Sequence, residues 1–500
     1  MELIDDNTRK FILGHRNDDV RRLALAADKY SGVDVRMAVD QIQGWQTARR
    51  KLPSWAATDG IVYPPHLNME QCSSETTATY KRMVAAGSGN GPRGILVDLT
   101  GGFGVDFSFL SRAFRKAVYV ERSESLCTIA RHNFRMLGID NAAVVNADSS
   151  DMAFIEGLPK IIEEQFHSAE RGLPVEEGTE NSKAEADSGM QNHIGRLVKV
   201  SESATAKADN EVTVFLDPAR RDSYGRKMVS IRDCEPDVLA LLPALSRFTS
   251  TLILKLSPML DWHEAVREIN AVGCAVAADK ANMVPEDDAN ADGVGLTKDG
   301  KSLFTVSSVH IVAVRNECKE LLIVAKNGRQ KALYGGCEHD YEPKMYCVDD
   351  GNVFSCSLKE AMEHSAVALA TLPTGDGGAV TTYLYVPNSA VMKAGCFHVL
   401  ASHYAVDGVG PNSHLFVAGR MIDGFPGRVF RIVAVSSMNK RELKRSLAGV
   451  KHANIATRNF PMSVEALRKR LKVTDGGDVY IFATTVADGS HVLIITKKAT

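Results

Sequence analysis

The sequence predicts an α/β chain: a parallel sheet covered by helices, preceded by an N-terminal helical region and followed by a small α+β module. Three observations predict it. From Gly94 onward, short β-rich apolar runs alternate with helical stretches, the pattern of βαβ units. Before that point, apolar residues recur every three or four positions, with no long β-branched run. At the other end, residues 421–500 mix strand-like and helix-like runs, and their Lys and Arg outnumber their Asp and Glu by more than two to one.

In order along the chain, residues 1–90 form the helical region. Asp18–Asp28 and Asp34–Arg50 carry helical periodicity, and Pro64–Pro65 interrupts it. Ser73 and Ser74 are good N-cap types for a helix running through Thr76–Ala86, and Gly87–Gly94 reads as a linker. Residues 91–330 form the sheet domain. Its strands are Ile95–Leu99, Ala117–Glu121, Ala142–Asn146, Val212–Leu216 and Thr251–Leu256, followed by a hairpin of Val309–Val314 and Glu320–Ala325. Residues 163–210 hold ten acidic and five basic residues and few large apolar groups, which suits a mobile acidic insertion. Pro285–Gly293 is a second acidic loop. Residues 331–420 form a mixed connecting region, and 421–500 the basic α+β module.

Composition narrows the function. A chain of 500 residues holds several domains at roughly 150 residues each. The 44% hydrophobic and 24% charged fractions are those of an ordinary globular protein. Net charge is −2, so any polyanion affinity must be local. No apolar run approaches the roughly 18–20 residues of a membrane span, and the first residues do not read as a secretory signal. The nine cysteines are scattered without a CxxC pair, so neither a zinc site nor a disulfide framework is expected, and a cytoplasmic location follows. No metal cofactor is expected.

The run ILVDLTGGFGVDF, Ile95–Phe107, is the most informative segment. A buried strand ends at Asp98 and is followed by Thr100, Gly101, Gly102, Phe103 and Gly104. Glycines there let the backbone turn sharply beside a ligand. Glu121, 19 residues after Gly102, ends the second strand, where a carboxylate can accept from both hydroxyls of a ribose. Asn146 and Asp148 end the third, where an adenine amino group could be held. A dinucleotide fingerprint from Gly102 would require glycine at 107, where Phe107 stands. The form D-x-T-x-G-x-G instead resembles motif I of class I S-adenosylmethionine-dependent methyltransferases, and the hairpin suits the antiparallel pair that closes their Rossmann-like sheet.

The fourth strand ends in VFLDPARRD, Val214–Asp222. Asp217-Pro218 sits where an open α/β sheet binds substrates, and proline stiffens the turn. The dipeptide resembles motif IV of nucleic-acid methyltransferases acting on exocyclic amines, although Ala219 and Arg220 replace the usual proline and stacking aromatic. Asp-Pro-x-Arg also resembles RNA uridine C5-methylases. Those need a cysteine after the fifth strand, where this chain reads LILKLSPMLD, so covalent chemistry is not expected. Arg220 or Arg221 could stack on a base or bind phosphate. Lys255, in an otherwise apolar strand end, calls for a pocket or a carboxylate partner. Gln71, Ser73, Ser74 and Lys81 cluster near a helix start that could close over a cofactor carboxylate.

Together, EQCSSETTATYK, DLTGGFGVD, FLDPARRD, LKLSPMLD and the tail segments FPGRVFRI and NIATRNFPMSVEALRKRLKV resemble one family. It is the bacterial class I methyltransferases with a THUMP-like C-terminal domain, found mostly in Bacteroidetes. The resemblance implies methyl transfer from S-adenosylmethionine and an RNA partner. The expected cofactor residues are Asp98, Thr100, Gly102, Gly104, Glu121, Asp148, Gln71 and Ser74. The expected catalytic residues are Asp217, Pro218, Arg220 and Lys255, acting on an RNA nitrogen. A non-catalytic RNA-binding protein, a protein methyltransferase and a nicotinamide-dependent oxidoreductase are the alternatives.

Overall fold

The computed structural model describes residues 4–87, 91–170, 211–220, 230–272, 302–328, 342–372 and 382–499, with backbone only at 166–170 and 220. The chain divides into two units: Met1–Ser307 with Leu322–His339, and Ser308–Leu321 with Asp340–Thr500.

The first unit opens with helices α1 Asp6–His15, α2 Val20–Leu25, α3 Val35–Lys51, α4 Pro53–Ala57, α5 His66–Gln71 and α6 Glu75–Ala86. Pro64-Pro65 separates α4 from α5, and Ser74 caps α6 through the N–H of Thr77. The strands are β1 Arg93–Asp98, β2 Phe114–Glu121, β3 Ala142–Asn146, β4 Val212–Leu216, the short pair β5 Ala219–Arg220 and β6 Cys234–Glu235, and β7 Thr251–Leu256. Between them lie α7 Val105–Leu110, α8 Glu124–Met136, α9 Met152–Glu170, α10 Val238–Leu245 and α11 Trp262–Ala271.

The order β3-β2-β1-β4-β7 is parallel throughout. Next to β7 runs β9 Glu317–Asn327, then β8 Phe304–Val314, as the expected hairpin. Its turn is tighter than expected: Arg315 and Asn316 both adopt positive φ, 53° and 61°, matching the twist of the flanking strands. Buried Phe107, Leu110, Tyr119, Phe134, Phe215 and Ile253 form the core between helices and sheet. A second cluster packs Trp55, Tyr63, Met69 and Ala78 of the N-terminal region against Phe103 and Val105. The N-terminal helices are therefore built into the same core as the glycine turn. Asn133 of α8 adds two buried bonds to the backbone of Val62, at 2.9 and 2.8 Å.

In the second unit, β10 Lys344–Asp349 pairs in parallel with β8, and β11 Asn352–Ser357 pairs antiparallel with β10. The short α12 Leu358–Met362 follows. A separate sheet has the order β13-β14-β12-β15-β18-β17-β16. Its strands are β12 Tyr383–Pro387, β13 Asp407–Gly408, β14 Phe416–Ala418, β15 Gly427–Ser437, β16 Asn454–Arg458, β17 Val479–Thr485 and β18 His491–Lys498. Helices α13 Ser389–Ala394 and α14 Phe397–Tyr404 link β12 to β13. Helices α15 Lys440–Ser446 and α16 Val464–Leu471 pack Leu443, Leu467 and Leu471 against one face.

Two boundaries and one strand differ from the sequence reading. The division at 421 falls inside one sheet, because β12 pairs with β15, Tyr383 opposite Arg431. The insertion boundary at Glu163 falls inside α9; residues 171–210 and the Pro285–Gly293 loop lie outside the described residues. Strand β16 was not anticipated, since NIATR has only two apolar residues flanked by polar ones. Among the described residues no helix is long and apolar enough to cross a membrane.

Candidate active site at the strand ends

The carboxyl ends of β1, β2, β3, β4 and β7 share one edge of the first unit's sheet. Register places Glu121 opposite Asn146, and Asp98 between Tyr119 and Phe215. This is the edge at which an open α/β sheet binds ligands.

The glycine turn is held from below. Gly101 donates its N–H to Val120 O at 2.9 Å, and a Cβ at Gly101 would run into the Tyr119 ring. Tyr119 donates its hydroxyl to Gly102 O. Gly102 and Gly104 sit at φ 54° and 85°, where a side chain is strained, and a Cβ at Gly104 would strike Phe134. Above Gly102 there is room: a Cβ built there would meet only Thr100 O, at 3.8 Å. Glu121 accepts the N–H of Gly102 at 2.9 Å and that of Ser123 at 2.8 Å, which fixes its carboxylate beside that space. A nucleoside cofactor fits this cradle. Each carboxylate oxygen of Glu121 keeps acceptor capacity for a ribose diol. Asp148 is exposed past the end of β3, accepting the N–H of Ser150, and Asn146 bonds to the backbone carbonyls of Glu121 and Arg122.

Asp98 is 1% exposed and accepts from Thr100 through both backbone N–H, at 2.9 Å, and hydroxyl, at 3.3 Å. Burial, with Asp106 and Asp217 nearby, pushes its carboxyl up to about 8 against the pull of Thr100. The hydroxyl of Thr100 also receives the backbone N–H of Asp217 at 2.6 Å.

Asp217 begins a chain of four charges. Lys255 donates to Asp217 Oδ2 at 2.6 Å and to Asp106 Oδ2 at 3.3 Å. Asp106, in the first turn of α7, lies 3.1 Å from Lys81 Nζ and accepts from Ser73 Oγ at 2.8 Å. Lys81 of α6 also donates to Ser73 Oγ at 3.1 Å. Side-chain exposure falls inward: 39% at Asp217, 11% at Lys255 and Asp106, and 0% at Lys81. Burial raises Asp217 above the usual carboxylate range, with Lys255 opposing and Asp106 adding to the rise. Burial acts on Asp106 as well, but Lys81 and Lys255 outweigh it and hold that carboxyl low.

The structure thus brings Asp98, Thr100, Asp217 and Lys255 together and supplies the carboxylate partner Lys255 called for. Pro218 is half-buried in the turn that follows. Arg220 contributes its backbone to β5, opposite Cys234; its side chain, and Arg221, lie outside the described residues. Gln71 is exposed at the end of α5, and the Ser74 hydroxyl is occupied in capping α6, so Ser73 is the serine that reaches the charged cluster. Sequence reading passed over Asp106. The signal was present, since Asp106 stands two residues past the last glycine of the turn and Lys81 lies on the buried stripe of α6 with Thr77 and Ala78. Cys72 carries a thiol raised by burial and bonds to Met69 O. Among the described residues no group of three or more His, Cys, Asp and Glu could hold a metal ion.

Comparison with known proteins adds family context. Residues 427–498 match the THUMP domain-like family and residues 383–426 a ferredoxin-like domain family. The chain is similar over 100% of its length to a solved structure from Porphyromonas gingivalis W83, provisionally named a methyltransferase, with 26% identity, a TM-score of 0.67 and 100% coverage of that chain. An rRNA methylase from Streptococcus thermophilus aligns with 50% of this chain and 94% of its own, at 10% identity and TM-score 0.24. An O-methyltransferase from Bacillus cereus, solved with SAH, aligns with 56% and 91%, at 12% identity and TM-score 0.25. No curated protein matches this chain.

Proposed function

We propose that this chain, a class I methyltransferase with a THUMP-like C-terminal domain, transfers the methyl group of S-adenosylmethionine to a nitrogen of an RNA nucleotide, with no covalent enzyme intermediate. The observation that carries the proposal is the Thr100 bridge: one hydroxyl joins the glycine turn suited to a nucleoside to the Asp-Pro turn suited to an acceptor.

The cofactor would be held by the turn Thr100–Gly104 and by Glu121, with Asp98 bracing the turn and Asp148 and Asn146 at the next strand end. When bound, it would supply an electrophilic methyl group, its sulfur keeping the electron pair of the broken S–CH3 bond and leaving as the thioether S-adenosylhomocysteine. The residues of this chain do the rest by placement. Asp217 keeps one oxygen on Lys255 and offers the other to an amine N–H, which fixes the amine and aims its lone pair. Lys255 holds that carboxylate in one orientation. Pro218 stiffens the turn and has no N–H to compete for an acceptor. The proton released on methylation passes to Asp217 or to water at this half-open end of the site.

RNA as the substrate is supported by the THUMP domain-like match and by the basic character of residues 427–498. Lys440, Arg441, Lys444, Arg445, Lys469, Arg470 and Lys472 are exposed on or beside α15 and α16. Such surfaces suit a phosphate backbone. The test is incubation with radiolabelled S-adenosylmethionine and, separately, total RNA, DNA and protein from a strain lacking the enzyme. Label should enter RNA, Asp217→Ala should abolish it while sparing cofactor binding, and no cysteine adduct should form. Label entering protein would move the acceptor to a protein side chain. Cofactor binding without transfer to any pool would leave a non-catalytic RNA-binding protein.

A further inference from the structure

The geometry points to Lys81 and Asp106 as positioning residues: a buried ion pair, contributed partly by the N-terminal helical region, that holds Lys255 against Asp217. The inference rests on the acceptor role given to Asp217 above, but the coupling it describes can be measured without any substrate.

Lys81 Nζ has no exposure to water, and an ammonium buried without a counter-charge is costly. Its counter-charge is Asp106 Oδ1 at 3.1 Å, and Ser73 bridges the pair, accepting from Lys81 and donating to Asp106 Oδ2. Asp106 Oδ2 also takes Lys255 at 3.3 Å, so this carboxylate stands between two ammonium groups. Lys255 in turn divides its donors between Asp106 and the closer Asp217, at 2.6 Å. Where Lys255 rests therefore depends on how far Lys81 neutralises Asp106. With Lys81 present, Asp106 pulls weakly on Lys255, and Lys255 stays on Asp217. Without it, Asp106 has one cation left and draws Lys255 inward.

The signs are separable. The groups facing Asp217 are Lys255 from β7, Asp106 from α7 and Lys81 from α6, with Asp98 and the Thr100 hydroxyl on the β1 side and the Cys72 thiol near Asp106 and Lys255. Lys81 and Lys255 favour the charged carboxylate, while Asp106 disfavours it. Removing Lys81 should thus raise the Asp217 titration, and removing Asp106 should lower it. A part that merely supported the fold would not move the titration in opposite directions.

The experiment is carboxyl carbon-13 NMR on the full chain labelled at aspartate, with the Asp217 signal assigned by its loss in Asp217→Asn. Lys81→Met is expected to move the Asp217 midpoint to higher pH, and Asp106→Asn to lower pH. Lys81→Arg, which keeps the charge, is expected to restore the wild-type midpoint. Should Lys81→Met fail to fold, Ser73→Ala removes the bridge without burying a charge, and an upward shift is again expected because Asp106 loses a donor that offsets its charge. An Asp217 midpoint unmoved in the folded variants, or moved in the same direction by Lys81→Met and Asp106→Asn, would overturn the inference. Methyl transfer to total RNA, followed against pH in parallel, separates the two proposals. A shifted NMR titration with no transfer in the wild type leaves the coupling standing and removes the function.

Discussion

Thr100 and Asp217 are 117 residues apart in sequence, and the Thr100 hydroxyl receives the Asp217 backbone N–H at 2.6 Å. That oxygen also donates to Asp98 Oδ1, so one side chain connects the end of β1 to the turn after β4. Replacing Thr100 with Val keeps the shape and removes both bonds. The N–H of Asp217 would lose its acceptor, at a cost of about 1–3 kcal/mol. Urea denaturation should show a loss in that range for Thr100→Val and near-complete recovery in Thr100→Ser. Methyl transfer should follow the same order. Equal stability of Thr100→Val and wild type would show that the two turns do not need the bridge.

Glu121 is already engaged with Gly102 and Ser123, so its carboxylate is pre-oriented before any ligand arrives. Glu121→Ala should weaken S-adenosylmethionine binding by roughly 1–3 kcal/mol through the loss of charged hydrogen bonds, as read by calorimetry. NADH should not bind to either protein. Tight NADH binding to the wild type would assign the cradle to a different cofactor.

Asp98 makes stability depend on pH in an unusual direction. Its carboxyl is raised from 3.8 in the unfolded chain to about 8 in the fold, because burial penalises the charged form. The folded state therefore holds a proton that the unfolded state has lost, and stability falls as pH rises between those values. The contribution is fully present below about pH 4 and gone above about pH 8. Asp98→Asn can still accept from Thr100 and cannot ionise. It should flatten the decline, with the largest gain in melting temperature over wild type near pH 8. A melting curve for Asp98→Asn that falls as steeply as wild type between pH 5 and pH 8 would assign the dependence to other groups.

The basic helices offer a test of the RNA reading that needs no catalysis. Lys440, Lys444 and Lys469 are exposed, and Glu at all three should leave folding intact. Truncation at residue 421 would not be clean, because it would strip β12 of its partner β15. For the full-length triple variant, RNA affinity should fall and its salt dependence should become shallower. Each lost phosphate contact removes about 0.7 from the log–log slope on single strands. Unchanged affinity and slope would leave these lysines as ordinary solvated surface.

Local features were legible in the sequence because their causes are local. The five parallel strands, the glycine turn, the Asp-Pro turn and the cap at Ser74 follow from hydrophobic period, from the sterics of positive φ and from N-cap chemistry, which act within a few residues. Other features required the fold. Asp106 and Lys81 each carry a local mark, but nothing in the sequence pairs them across 25 positions or brings Lys255 to Asp106 from β7. Nothing in residues 383–387 announces pairing with 427–431, so the connecting region could not be divided from its pattern alone. Short strands and single charges carry little periodic signal. Their partners are chosen when burial removes water and leaves each ammonium, carboxylate and N–H to find the nearest complementary group, and that choice exists only in three dimensions.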